Sequence, residues 1–181
     1  MRKLRNDELP RLTVEDFKTA EKIPLVVVLD NVRSSNNIGS IFRTSDAFLV
    51  KKIYLCGICA KPPDKEIHKT ALGAEFSMDW EYCSRTEEAM SKLKSEGFKI
   101  IAIEQVEDSI SLSDYFPGVQ EKVALVFGNE VKGVQQEIVH LCDKTIEIPQ
   151  FGTKHSFNIA VSAGIVLWEL FKKIRLNVRS G

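Results

Sequence analysis

Leu25-Val26-Val27-Val28-Leu29, closely followed by Asn36-Asn37-Ile38-Gly39-Ser40-Ile41-Phe42-Arg43, decides the fold. The first run has no polar alternation, the pattern of a strand buried on both faces, as in a parallel sheet. Polar residues Asp30 to Ser35 make a loop, and Asn36 or Asn37 is a good N-cap. From there Ile38, Ile41, Phe42, Ser45, Phe48 and Leu49 recur at helical spacing and form one apolar face. Gly39 and Arg43 stand off that face. Their spacing of four stacks them on one side of the helix, where Gly39 is expected to leave room a turn below the guanidinium. Helix-start N–H groups and a guanidinium together suit a phosphate. The plain alternative is a solvated arginine on an amphipathic helix.

Outward from this segment, strands and helices alternate. Thr13-Val14-Glu15-Asp16 reads as a capped helix start before Pro24. Lys52 to Cys56 reads as a second strand, Pro62-Pro63-Asp64 opens a loop or short helix through His68 to Gly73, and Asp79 to Cys83 is a weaker strand. Thr86 to Glu96 is helical up to Gly97, followed by a buried strand at Lys99 to Ile103. Val123 to Phe127 is the next strand, Gln135 to Leu141 a helix, Thr145 to Ile148 a strand, and Ser156 to Ile174 a long final helix. Such alternation implies an α/β fold, a mostly parallel sheet flanked by helices, with ligands expected beyond the carboxyl ends of the strands.

With 181 residues, 44% of them hydrophobic, the chain can bury one core, so one domain with short terminal extensions is expected. The 25 basic and 25 acidic residues balance, which argues against a protein that coats nucleic acid through bulk charge. Local charge differs: Arg2, Lys3, Arg5 and Arg11 crowd one end, and Lys172, Lys173, Arg175 and Arg179 the other, with no acidic residue after Glu169. These are either basic ends for a polyanion or ordinary solubilising tails. The N-terminus lacks the apolar core of a signal peptide, and the apolar stretch Ile159 to Phe171 is too short to span a bilayer, so a cytoplasmic protein with no membrane association is expected.

Cys56-Gly57-Ile58-Cys59 has the spacing of a metal knuckle or redox pair, but Cys83 and Cys142 are distant and isolated. A zinc site needs four ligands, and a thioredoxin-like pair opens a helix, whereas this one ends a strand and runs towards Pro62-Pro63. Buried thiols in a reducing compartment are the expectation.

Three loops beyond strand ends carry the chemistry. One precedes Arg43. The second, Gly128-Asn129-Glu130-Val131-Lys132-Gly133, has two glycines that allow tight turning and close backbone approach to a ligand. It is not a P-loop, since Val134 and Gln135 replace the Lys-Ser/Thr ending, and no strand leads into the Gly-x-Gly-x-x-Gly turn of a dinucleotide fold. Its Glu130 reads otherwise as a simple helix N-terminal charge. In the third, Ile148-Pro149-Gln150-Phe151-Gly152 leads to Ser156-Phe157-Asn158, where Ser156 can cap the last helix and Asn158 falls in its first turn. Further along that helix, Ala160, Ala163 and Gly164 form a small-residue stripe that fits a core helix as well as a dimer interface. His155 reads as a surface histidine.

Asn37-x-Gly39-x-x-x-Arg43, Gly128-x-Glu130-x-x-Gly133 and Ile148-Pro149 through Ser156-Phe157-Asn158 resemble, in order, the three motifs of the SpoU/TrmH family, and Leu72-Gly73-Ala74-Glu75 is similar to a further family segment. The family comprises RNA ribose 2′-O-methyltransferases of the SPOUT superfamily. The resemblance divides the chain into a basic, helical extension at 1–23, a methyltransferase domain at 24–174 and a basic tail at 175–181. It implies a C-terminal trefoil knot, a homodimer, and S-adenosylmethionine held by Gly128, Ile148 and Phe157, with Ile103 at the neighbouring strand end. It also implies catalytic roles for Arg43, Glu130 and Asn158, and substrate contacts for Asn37 and Ser156. The basic ends, Arg175 among them, are then expected to reach RNA phosphates.

For Arg43 the family offers general-base catalysis. Arginine is effectively always protonated, so an electrostatic role on a phosphate and a developing alkoxide stands beside it. Family members often carry His at the position of Asn36, Gly at that of Leu49 and Leu at that of Phe157, departures that touch substrate choice and the cofactor wall. The chemistry requires no metal. Transfer RNA is the first choice of substrate and ribosomal RNA a close second, against a non-catalytic RNA-binding dimer or a small-molecule enzyme.

Overall fold

In the computed structural model, which describes residues 1–176, the run that opens the chain's core forms β1 (Ile23–Asp30), with Ile23 and every residue from Leu25 to Asp30 buried. Along it Leu25, Val27 and Leu29 point into one apolar layer and Val26 and Val28 into another, as strand alternation requires. Each such aliphatic side chain contributes roughly 1.5–3 kcal/mol on burial, which places the stability of the molecule in this strand and its neighbours.

Those neighbours are β2 (Val50–Cys56), β3 (Trp80–Cys83), β4 (Lys99–Ile103), β5 (Ile110–Ser111), β6 (Val123–Phe127) and β7 (Lys144–Glu147). They form a seven-stranded sheet of order β3-β2-β1-β6-β4-β7-β5, parallel at every pairing. Register places Leu29 opposite Phe127, Ala102 opposite Val126 and Ile103 opposite Ile146. The loops leaving β1, β6, β4 and β7 therefore emerge along one edge.

Helices cover both faces. On one lie α1 (Val14–Thr19), α2 (Ser35–Ala47), α3 (Lys65–Ala71), the single turn α4 (Ala74–Ser77) and α7 (Ile159–Phe171), burying Phe17, Ile38, Ile41, Phe42, Ile67, Val166 and Leu167. On the other, α5 (Thr86–Ser95) and α6 (Gln136–Leu141) bury Ala89, Met90, Leu93 and Ile138. Among the described residues no helix is long and apolar enough to cross a membrane.

Several sequence expectations shift. The N-cap of α2 is Ser34, whose side chain accepts from the Asn37 N–H at 3.2 Å, not Asn36 or Asn37. The last helix begins at Ile159 with Asn158 as its cap, so Ser156 lies in the loop, and a π-helical turn, Lys172–Leu176, extends its far end. Ile148 falls just outside β7, and α4 and β5 are short additions that the sequence pattern does not announce. Gly39 does not open a space under Arg43: it is buried where α3 crosses α2, and a Cβ there would stand 2.4 Å from the Ile67 carbonyl oxygen and 2.1 Å from Thr70 Oγ1.

Several cations of the basic ends are paired with acids. Arg2 pairs with Glu8 at 2.8 Å and Arg5 with Asp7 at 3.5 Å, while Lys172 and Lys173 meet Glu169 at 2.6 and 3.2 Å. Lys173 also donates to the carbonyls of Leu112, Ser113 and Tyr115, which makes it a structural clamp. Arg175 lies 3.7 Å from Glu21. The tail beyond Leu176, with Arg179, lies outside the described residues.

Candidate active site

The loop after β6 is built by its glycines. Asn129 and Gly133 exchange two backbone hydrogen bonds, at 2.9 and 2.8 Å, and fold the segment back on itself. A Cβ on Gly128 would sit 2.0 Å from the Gly133 carbonyl carbon, and Gly133 has φ +67°, a left-handed conformation that favours glycine. The Asn129 side chain secures the fold: its Nδ2 donates to the Asn31 carbonyl at 2.8 Å, and its Oδ1 accepts from Val131 N–H at 2.9 Å. Glu104, just past β4, accepts from Val134 N–H at 3.0 Å and holds the loop's exit.

Beneath this loop the fully buried carboxylate of Asp30 accepts from Thr86 Oγ1 at 2.6 Å, Gln135 N–H at 3.1 Å, Gln135 Nε2 at 3.0 Å and Asn31 Nδ2 at 2.9 Å. A buried charge is tolerated only when so satisfied. Asp30 thereby joins the end of β1 to the start of α5 and the entry to α6.

At the loop's tip, Glu130 accepts from the backbone N–H groups of Arg33 and Ser34 and from Asn37 Nδ2, each at 3.0 Å. Burial opposes ionisation of the Glu130 carboxyl. The N–H groups of Arg33 and of Glu130 itself, the Asn37 amide and the Ser34 N–H outweigh it and hold the carboxyl below the usual carboxylate range. A carboxylate so engaged is a poor base; its visible work is to fix the loop before α2. Asn37 passes the connection on, its Oδ1 accepting from Asn158 Nδ2 at 3.1 Å, while Asn158 Oδ1 caps α7 through Ala160 N–H at 2.9 Å. Glu130, Asn37 and Asn158, one from each motif, thus form a continuous hydrogen-bonded chain.

Beside this chain opens a cleft of about 670 Å³ at the carboxyl edge of β4, β6 and β7, within the usual range for a small-molecule site. Ile103, Gly128, Ile148 and Phe157 all line it, as do Glu130, Ser156 and Asn158. Ile103, Phe127, Ile148 and Phe157 supply apolar walls, and the turned backbone at Gly128 and Gly133 supplies polar groups. Such walls fit a flat base with a polar tail, the form of S-adenosylmethionine. Arg43 is not on these walls: it is exposed on α2, six residues and about 9 Å along the helix axis from Asn37. Arg175 is likewise outside the cleft.

Sequence reasoning missed Asp30, Glu104, Asn129 and Gln135. Their polar side chains immediately follow strands or flank the glycine loop, which is the signal that could have drawn attention to them. Cys56 and Cys59 are buried free thiols. Burial pushes the Cys59 thiol up to about 11 and Cys56 higher still, the opposite of what redox or metal ligation needs.

A parallel α/β sheet with a cleft walled by the loops after three neighbouring strands defines a ligand-binding α/β protein of the kind expected for nucleotide-like cofactors. The chain belongs to the SpoU rRNA Methylase family, which it matches over residues 24–168. It is 33% identical over 148 residues to the tRNA (guanosine(18)-2′-O)-methyltransferase of Aquifex aeolicus, covering 80% of this chain and 67% of that one. It is 31% identical over 152 residues to the 23S rRNA (guanosine-2′-O-)-methyltransferase RlmB of Neisseria meningitidis serogroup B, covering 81% and 57%. The structure of the SpoU methyltransferase AviRb from Streptomyces viridochromogenes in complex with AdoMet superposes with a TM-score of 0.76 at 25% identity, over 95% of this chain and 64% of that one. The chain thus spans between 57% and 67% of the length of these curated relatives.

Proposed function

We propose that this protein transfers a methyl group from S-adenosylmethionine to a ribose 2′-hydroxyl of structured RNA, transfer RNA first and ribosomal RNA second. The observation that carries this reading is the chain Glu130–Asn37–Asn158, which ties the three family motifs together at the rim of the cleft. Names of relatives at about one-third identity, one acting on tRNA and one on rRNA, support the substrate class.

Bound in the cleft against Ile103, Gly128, Ile148 and Phe157, S-adenosylmethionine supplies an activated, electrophilic methyl group. The residues of the chain do the rest. Glu130 and Asn158 fix Asn37 and the loop before α2, and with them the approach of the ribose; Ser156 on the cleft wall offers a hydroxyl to it. Arg43 pairs with a phosphate of the target nucleotide and stabilises negative charge developing on O2′ as its proton leaves to solvent. Alignment provides much of the acceleration.

The working unit is a homodimer with residues 24–174 as its catalytic part, flanked by 1–23 and 175–181. Support comes from α7, where Val161 and Trp168 are about half exposed and a Cβ on Gly164 would meet nothing within 4 Å, leaving an apolar face open beside the Phe48–Trp168–Phe171 aromatic group. The trefoil knot of the family is supported by the segment between β4 and β6, which is held against the last third of the chain through Leu112 N–H to the Glu147 carbonyl and through Lys173. Four free cysteines favour a cytoplasmic setting.

The test is transfer of labelled methyl from S-adenosylmethionine to tRNA and rRNA pools separately, with Arg43→Ala alongside. Label in one pool that is lost in the variant supports the reading. Cofactor binding without label in either pool favours a non-catalytic RNA-binding dimer.

A further inference from the structure

A second cleft, of about 360 Å³, lies at the opposite edge of the sheet, where β1, β2 and β6 begin. Its walls are Lys18, Lys22, Lys51 and Lys122 with Pro24, Phe98 and Asp79, four lysines to one carboxylate. The lysines come from α1, the link to β1, β2 and the approach to β6, segments that the sheet alone brings together. From Pro24 to Asp30, β1 spans about 20 Å, which separates this cleft from the candidate active site.

These four lysines form no ion pair among the described residues, and Asp79 is the one acidic residue on the walls. Lys22 donates to the carbonyls of Phe17 and Ala20 and stands 4.1 Å from the Phe17 ring centre. Lys122 donates to the Glu96 carbonyl at 3.0 Å, and Lys51 and Lys122 lie 5.4 and 5.7 Å from the centre of the same buried ring, Phe98. Carbonyls and ring faces position these ammonium groups without neutralising them. Lys18 and Lys51 have no acidic partner among the described residues. In a chain with no net charge, like charges gathered in a cleft create a focused positive potential suited to anions.

We propose that this lysine cleft binds the sugar–phosphate backbone of the substrate RNA at a point remote from the reacting ribose. The inference rests on the RNA-methyltransferase reading above. Four ammonium groups spread over separate elements exceed what one small phosphate needs, and they suit successive phosphates. Phe98 is buried and offers no stacking surface, so the contact positions the RNA without reading its bases.

The test uses the full chain with Lys18→Gln/Lys51→Gln, two exposed side chains without hydrogen-bond partners to lose, and Lys18→Arg/Lys51→Arg as the charge-retaining control. RNA affinity is measured from 50 to 200 mM salt, with cofactor affinity, kcat and melting temperature alongside. Two lost phosphate contacts lower the slope of log affinity against log salt by about 1.5. KM for RNA is expected to rise roughly tenfold, with kcat at saturating RNA, cofactor affinity and melting temperature unchanged, and the Arg pair is expected to restore binding. A Gln variant with wild-type slope and KM overturns the proposal. So does saturation of the cleft by millimolar inorganic phosphate with the RNA slope unmoved, which would mark a small-anion site. A shifted slope in a protein that methylates no RNA would overturn the enzyme reading and leave this contact standing.

Discussion

Replacing Gly39 with Ala separates two uses of that glycine: helix crossing and room for a ligand. A Cβ at this position would stand 2.1 Å from Thr70 Oγ1, 2.4 Å from the Ile67 carbonyl oxygen and 3.1 Å from the Ala71 nitrogen. The threonine hydroxyl can rotate away at the loss of its 3.0 Å bond to the Asn36 carbonyl, but the Ile67 carbonyl is backbone and must retreat by about 1 Å to reach ordinary contact. Prising α3 from α2 over that distance costs roughly 1–3 kcal/mol, as overpacking does, offset by nearly 1 kcal/mol from the better helix propensity of alanine. The net is about 0–2 kcal/mol lost, or a fall in Tm of up to about 8 °C for a chain of this size. Thermal and denaturant unfolding read it directly. Thr70→Ala added to Gly39→Ala should recover little, because the backbone clash remains. An alanine variant as stable as the wild type, yet unable to bind RNA, would refute the packing argument and return Gly39 to the role of making room for a phosphate.

Glu130→Gln breaks the clamp on the loop before α2 while preserving size, and methyl transfer should fall by about 10²-fold through misplacement rather than through loss of a proton acceptor. Because the folded Glu130 carboxyl sits below its ordinary range, its stabilising contribution is fully present above that range and is lost as pH falls through the depressed value; the Tm difference between wild type and Glu130→Gln should therefore hold above about pH 5 and shrink towards pH 3. Cys59 and Cys142, both pushed up to about 11 by burial, should be about 10⁻³ thiolate at pH 8, so a thiol reagent should label them slowly until denaturant exposes all four cysteines; rapid labelling of the folded protein would contradict their burial. Leu72 is 65% exposed and holds φ +52° at the end of α3, so Leu72→Gly should raise stability by about 0.5–1 kcal/mol by removing left-handed strain with little burial to lose.

The strands were legible in the sequence because a parallel sheet covered on both faces demands unbroken aliphatic runs, and Leu25 to Leu29, Ile100 to Ile103 and Val123 to Phe127 satisfy that locally. The caps were less so. Ser34, Asn36, Asn37, Ser156 and Asn158 are all able to cap a helix, and the choice among them is made far away in sequence: Glu130 and Asn158 engage the Asn37 side chain, leaving Ser34 to cap α2. Spacing put Gly39 and Arg43 on one side of a helix, but it held no information about which neighbour would occupy that side. Ile103, Gly128, Ile148 and Phe157, which the resemblance picks out, all line the cleft. Asp30 escaped notice because its partners Thr86 and Gln135 lie 56 and 105 residues further along the chain, so only the folded sheet reveals that its charge is satisfied. At the basic ends the sequence displays the cations but not their pairing, Arg2 with Glu8, Lys172 with Glu169 and Arg175 with Glu21.

The most direct test of the central claim is the position of the methyl group on the product. RNA methylated by the purified protein with labelled S-adenosylmethionine is digested to nucleosides and resolved by mass. The account predicts label on the ribose as a 2′-O-methyl nucleoside, with alkali resistance at the linkage on its 3′ side. Label on a base, or alkaline cleavage at the modified nucleotide, would contradict it.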